Sequence, residues 1–240
     1  ASRYYDWMNI LKIIKLSLIG TMIIANASAQ DFSPDKVSKS VQKKVMEFPD
    51  FSKYEATCIS LYECMSFDTE KDSFTNSDYH THVKAYKLNI SKDQLFDVLE
   101  NSHPKNLWQN SANFQMLYRA SENKVFYDSS ENIKVRKDDF ITLELTPKLG
   151  PIKKKMPVSF QILEINREKG ILSFSYLTNN VSKGIQQLDV HSLDHNHIAI
   201  THTSRYLSGN KFRDYKLYVP FHEQFTDGFY IDLEALILQP

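Results

Sequence analysis

The sequence predicts an α+β domain: a curved antiparallel sheet wrapped around one long C-terminal helix, with a short helical extension on its N-terminal side. Three observations predict it. From about Gln115 to Leu207, short segments of alternating apolar and polar residues are separated by turn chemistry, including Ser121-Glu122-Asn123, Lys137-Asp138, Asn166 to Gly170 and Asp194-His195-Asn196. The chain then closes on Val219 to Leu238, where Phe221, Phe225, Phe229, Leu233 and Leu236 recur at helical spacing. Finally, Val158/Phe160/Ile162, Leu172/Phe174/Tyr176 and Leu188/Val190 share one strand face, opposite Ser159/Gln161, Ser173/Ser175 and Gln187/Asp189. A single sheet with such an aromatic face must bury it, and the Phe-striped helix is the natural cover.

The N-terminal residues set the expected compartment. Ala1 to Trp7 contain no Met and are expected to be a tag or upstream reading frame. Residues 8–29 read as a signal peptide: Lys12 and Lys15, the apolar run Leu16 to Ala25, then Ala27-Ser28-Ala29, with the cut after Ala29. That apolar run is shorter than the ~20 residues needed to span a bilayer. The expected location is therefore periplasmic or secreted, where Cys58 and Cys64 would form a disulfide. Free thiols and zinc are the alternatives, though neither cysteine has the spacing to His80 and His82 that zinc sites show.

Residues 30–78 form the extension. Ser33, Pro34 and Asp35 read as a helix start, and Val37, Val41 and Val45 at i, i+4, i+8 predict one amphipathic helix running to about Phe48, before Pro49. Asp68, Glu70 and Asp72 have the spacing that opens a calcium loop. Ser73 stands where that loop needs Gly and Tyr79 where it needs Glu, so a solvated loop is expected instead.

The main domain is expected over residues 79–240. Its first strand is His80 to Ile90, followed by a helix Lys92 to Glu100 capped by Ser91 and a second short helix around Lys105 to Ala112. Strands are expected around Gln115 to Ala120, Lys124 to Tyr127, Ile133 to Arg136, Phe140 to Thr146, Val158 to Ile165, Ile171 to Thr178, Gly184 to His191 and His197 to Leu207.

Composition excludes several functions. The 240 residues carry 29 basic and 29 acidic side chains, so no global basic field recruits nucleic acid. With 6 Gly, the phosphate-binding loops are absent, as are a Ser-His-Asp elbow and zinc-type spacings.

The order of strand, two short helices, a run of antiparallel strands and a long last helix resembles the helix-grip fold of the START-like (SRPBCC) superfamily. Lipid-transfer domains, pollen-allergen-like proteins and polyketide cyclases belong to that superfamily. The likeness spans residues 79–238 and is carried by His82 to Ile90 with Ser91 to Phe96, and by the closing Phe221 to Phe229. It implies a cavity between sheet and last helix that takes apolar or amphipathic small molecules. The superfamily shares no catalytic signature, so the resemblance assigns no catalytic residue.

Within such a cavity, alternation places Ile198, Ile200, His202, Ser204 and Tyr206 on one side of the last strand, with His197, Thr201, Thr203 and Arg205 on the other. His202, Ser204 and Tyr206, joined by Tyr176, His222, Phe225 and Phe229, are the candidate ligand-binding residues. The alternative is that the polar members bond one another in a filled core. His191, His195 and His197 with Asp194 crowd a turn but do not converge with His202, so no metal site is expected. Lys153 to Lys155 read as a solvated loop with at most transient membrane contact. The expectation is an exported binder of a hydrophobic small molecule or lipid, without cofactor and without nucleic acid; the sequence specifies no protein partner. A cyclase- or hydrolase-like enzyme using His202 or His222, and a cavity-free protein-interaction module, are the competing readings.

Overall fold

The computed structural model describes residues 32–46, 78–109, 112–131, 133–146, 148–149, 152–153, 155–177 and 180–238. The expected signal segment, its cut after Ala29, the Cys58–Cys64 pair and the Asp68-Glu70-Asp72 loop lie outside the described residues. The helices are α1 (Lys39–Met46), α2 (Lys92–Asn101), α3 (Pro104–Leu107) and α4 (Tyr218–Ile237). The strands are β1 (His80–Leu88), β2 (Ala112–Arg119), β3 (Lys124–Tyr127), β4 (Phe140–Leu145), β5 (Lys148–Leu149), β6 (Ile152–Lys153), β7 (Met156–Asn166), β8 (Ile171–Tyr176), β9 (Lys183–Ser192) and β10 (Ile198–Leu207). Among the described residues, eight of these strands form one sheet in the order β1-β10-β9-β8-β7-β4-β2-β3, every pair antiparallel, and β5 and β6 make a separate small hairpin.

Helix α2 forms where the sequence places it because Ser91 and Gln94 build a reciprocal cap. The Gln94 N–H donates to Ser91 Oγ at 3.2 Å, and the Ser91 N–H donates to Gln94 Oε1 at 2.9 Å. Leu95, Phe96 and Leu99 then turn into the core. Helix α3 is shorter than expected and ends at Leu107 rather than Ala112, because Trp108 leaves helical geometry to stack on Phe229 of α4, 5.5 Å between rings. Ala112 opens β2 instead.

Two further expectations need correction. The single N-terminal helix is a 3-10 turn, Pro34–Lys36, then extended Val37, then α1. The break has a cause: the Ser38 N–H donates to Gln115 Oε1 at 2.7 Å, and Ser38 Oγ accepts from the Val41 N–H, so the helix is capped anew at Ser38. Residues 133–136 are not a strand. The Lys134 carbonyl accepts from Arg119 Nη2 at 2.7 Å and the Arg136 carbonyl from the Asp139 N–H, so these groups are used before a ladder can take them. Asp139 is itself buried and grips Arg119 in a two-pronged pair, with Nε to Oδ1 and Nη2 to Oδ2 both 2.8 Å.

The sheet buries both faces where β2, β3 and β4 run together. A bulge at Gln115 shifts the register of β2, so that Phe114 and Leu117 face inward while Met116 and Tyr118 face outward. The outward set, with Val125, Tyr127 and Phe140, is covered by Phe32, Val37 and Val41 from the extension. The inward set joins α2, α3 and α4 around one larger core. At the β7–β8 turn Gly170 holds φ +71°, and a Cβ there would meet the Val190 carbonyl oxygen at 2.3 Å, so the turn requires glycine.

Candidate functional site

Between the inner sheet face and α4 lies a cavity of about 660 Å³, walled by Val158, Phe160 and Ile162 of β7, Leu172, Phe174 and Tyr176 of β8, Leu188 of β9, and Phe221, Phe225 and Phe229 of α4. Leu99, Leu107 and Trp108 from α2, α3 and the residue after it close another side. The three strand triplets read as one apolar face are thus the cavity wall, and the volume falls within the ~300–1,000 Å³ of small-molecule sites.

The wall carries one polar cluster, centred on buried Gln186. Its Oε1 accepts from His202 Nε2 at 3.0 Å and from His222 Nε2 at 2.9 Å, while its Nε2 donates to Ser204 Oγ at 2.7 Å and Tyr218 OH at 3.1 Å. Tyr230 OH donates to His202 Nδ1 at 3.1 Å, which completes that ring's bonding, whereas His222 Nδ1 is buried without a partner. Tyr218 stacks on Tyr206 and on His222, locking the ring positions. Burial, with repulsion from His82, pulls the His202 imidazole down to about 3. Burial and the neighbouring His202, His82 and Lys84 hold His222 well below its ordinary value. Burial also pushes the Tyr176 phenol up to about 12. At neutral pH the cluster therefore offers hydrogen bonds and no formal charge.

The cavity reaches the surface at the end of the sheet where β4 and β8 finish and β7 and β9 begin. Exposed Lys43, Lys155 and Val181 line it there, together with Ser40, Asn180 and Arg213. Two bonds between Asn180 and the Ser159 backbone fix that loop to β7, with the Ser159 N–H donating to Asn180 Oδ1 at 3.2 Å. Arg213 Nη1 donates to the Val181 carbonyl at 3.2 Å, and Lys155 Nζ meets buried Glu144 at 2.7 Å. Burial alone would raise the Glu144 carboxyl, but hydrogen bonds from Lys155, Ser38 and Ser40 outweigh it and hold the group below its ordinary value.

No family model matches the sequence, and no curated protein matches it. Solved structures do. The ginseng major latex-like protein 151 from Panax ginseng superposes with a TM-score of 0.50 at 11% identity, over 67% of this chain and 99% of that one. The chain has the helix-grip fold of the START-like superfamily. The norcoclaurine synthase of Thalictrum flavum is also similar, with a TM-score of 0.47 at 10% identity over 68% of this chain and 89% of that one.

Within this helix-grip frame the candidate residues divide. Tyr176, His202, His222, Phe225 and Phe229 stand on the cavity wall. Ser204 and Tyr206 share the strand face with His202 but lie behind Tyr218: Ser204 Oγ is 2.9 Å from Tyr218 OH, and Tyr206 OH donates to the Asp214 carbonyl at 3.1 Å. Their polar atoms are spent on the wall's own structure. His197 pairs with Asp194 on the exposed turn at 2.8 Å, away from the cavity, and no metal-holding group of His, Cys, Asp or Glu occurs among the described residues.

Sequence reasoning missed Gln186, Tyr218 and Tyr230, which organise the cluster. Gln186 was within reach, since it shares parity with Leu188 and Val190. Tyr218 falls one residue before the expected helix start, so its i, i+4 relation to His222 was not visible. Of the three cations at the opening, Lys155 belongs to the Lys153 to Lys155 run that the sequence marks as a solvated loop, just before β7, whereas Lys43 and Arg213 had no sequence signal, because they come from α1 and the turn before α4.

Proposed function

We propose that this protein is an exported carrier that binds a hydrophobic small molecule or lipid between its sheet and its last helix. The observation carrying this reading is the cavity of about 660 Å³, whose described wall is mainly aromatic and aliphatic, with a charge-neutral polar cluster and a polar opening. A closed core of that shape would have been filled by side chains, as the opposite sheet face is. The cavity supports carriage over a cavity-free interaction module. The depressed imidazoles support it over acid–base chemistry at His202 or His222, since a general acid works best with a pKa near the operating pH.

The test is native mass spectrometry of the chain purified from an exporting host, before and after organic extraction. A reproducible added mass that extraction removes is the expected result. A clean apo mass, together with failure to bind any apolar fluorescent probe, would overturn the reading.

A further inference from the structure

The described residues lining the cavity include three full cations, Lys43, Lys155 and Arg213, and no carboxylate. Composition does not account for this, because basic and acidic side chains balance at 29 each over the whole chain. Position does not scatter the cations either. All three stand at the one end of the sheet where exposed residues meet the cavity, on three elements far apart in sequence. The deep end is the converse: the imidazoles of His202 and His222 are held neutral there, so it offers no charge to a ligand.

Glu144 is the carboxylate that bears on this end. It lies outside the lining and pairs with Lys155, offsetting that charge. Arg213 spends one nitrogen on the Val181 carbonyl, an uncharged acceptor that leaves its positive charge uncompensated. Among the described residues, Arg213 therefore leaves a positive charge at the opening, beside an apolar interior.

We infer that the ligand is an anionic amphiphile, seated with its apolar body among Phe160, Phe174 and Phe225 and its carboxylate at the opening near Lys155 and Arg213. The inference rests on the carrier reading above and names the ligand class for that same cavity. Charge at an open rim is screened by salt, whereas the apolar contacts are not. The acid and its uncharged ester must then differ in a salt-dependent way.

The experiment is a fluorescence titration of the full chain with cis-parinaric acid and with its methyl ester, each at low and high ionic strength. The acid is expected to bind at least tenfold more tightly than the ester at low salt, with the ratio shrinking as salt rises. In the double variant Lys43→Gln/Arg213→Gln the acid-to-ester ratio is expected to fall toward one. That variant leaves the Lys155–Glu144 pair intact, and circular dichroism verifies its fold. A further variant, Arg213→Lys, keeps the charge and should keep most of the preference. Equal affinity for acid and ester in the unmodified chain overturns the inference while leaving the carrier reading standing. Binding of neither probe overturns the inference and, joined to a clean apo mass and failure of other apolar probes, overturns the carrier reading as well.

Discussion

The two faces of the sheet are built from the same alternation, yet one is packed shut and the other is hollow. On the outer face of β2, β3 and β4, a single short segment contributes Phe32, Val37 and Val41, and these suffice to bury Met116, Tyr118, Val125, Tyr127 and Phe140. On the inner face a 20-residue helix with its own aromatic stripe covers β7, β8 and β9 and still leaves about 660 Å³. The difference lies in shape, since both covers are apolar. A strand bundle that curves away from a straight helix cannot be filled along its whole length, whereas a segment laid directly on the convex side follows it. Hollow and filled faces should therefore differ in what they lose both to a misplaced charge and to added volume, the filled face losing more in each case.

The largest effect is expected from Val41→Asp, which places an unpaired carboxylate in the filled face, where Val41 is 1% exposed. A loss of about 3 kcal/mol or more is expected in urea unfolding. Phe174→Asp on the hollow face should cost clearly less, because water can enter beside it; equal losses would mean the cavity is closed to solvent.

Adding volume separates the faces more sharply. Val41→Phe overpacks the outer core and is expected to cost ~1–3 kcal/mol in the same measurement. Val158→Phe, pointing into the cavity, should cost under about 1 kcal/mol and weaken binding of an apolar probe. A large loss for Val158→Phe would show that the wall has no room.

Acid should find the hollow face first. The His202 pKa in the folded protein, about 3, lies below its ordinary value of 6.5, so the unfolded chain binds more protons between those values. Stability from this group is complete above about pH 6.5 and falls as pH drops toward 3, on the order of 1 kcal/mol per pH unit. His222, shifted in the same direction, steepens the slope. Urea titrations from pH 7 to pH 4 measure it, and the His202→Gln variant should flatten the profile. An unchanged slope in that variant would assign the acid sensitivity elsewhere.

The smallest effect is expected at β1, an edge strand whose Val83 side chain is exposed. Val83→Thr should stay within about 0.5 kcal/mol of the parent and serves as the baseline for both faces.

Much of this arrangement was legible beforehand because strand parity is a strict code. The residues of β7, β8 and β10 that were assigned inward are inward, from Val158 to Tyr206. What parity could not convey was whether an inward residue meets a cavity or another side chain. Ser204 and Tyr206 share a face with His202, yet Tyr218 stands between them and the space. Local patterns also misled where a distant partner intervened. Val37 fits a helical stripe, but Gln115, 77 residues on from Ser38, claims the backbone that would have continued it. Ile133 and Val135 alternate like a strand and are buried like one, but Arg119 and Asp139 consume the carbonyls. Both departures involve a side chain that reaches in from elsewhere in the sequence, Gln115 onto Ser38 and Arg119 onto Lys134, which periodicity does not register.

The turn that leads into α4 has a consequence of its own. Residues Arg213–Leu217 wind as a π-helix, which carries one residue more than the α-helical repeat and so offsets everything before it from everything after it by about 100° of rotation. That offset is what allows Asp214 to turn toward β10, accepting the Ser208 N–H at 2.9 Å, while Tyr218 and His222 on the following turns face Gln186. The surplus residue works as a phase adjuster between the rim and the interior. Deleting one residue there would leave the helix continuous and its composition nearly unchanged, yet it would swing Arg213 around the axis by more than a quarter turn.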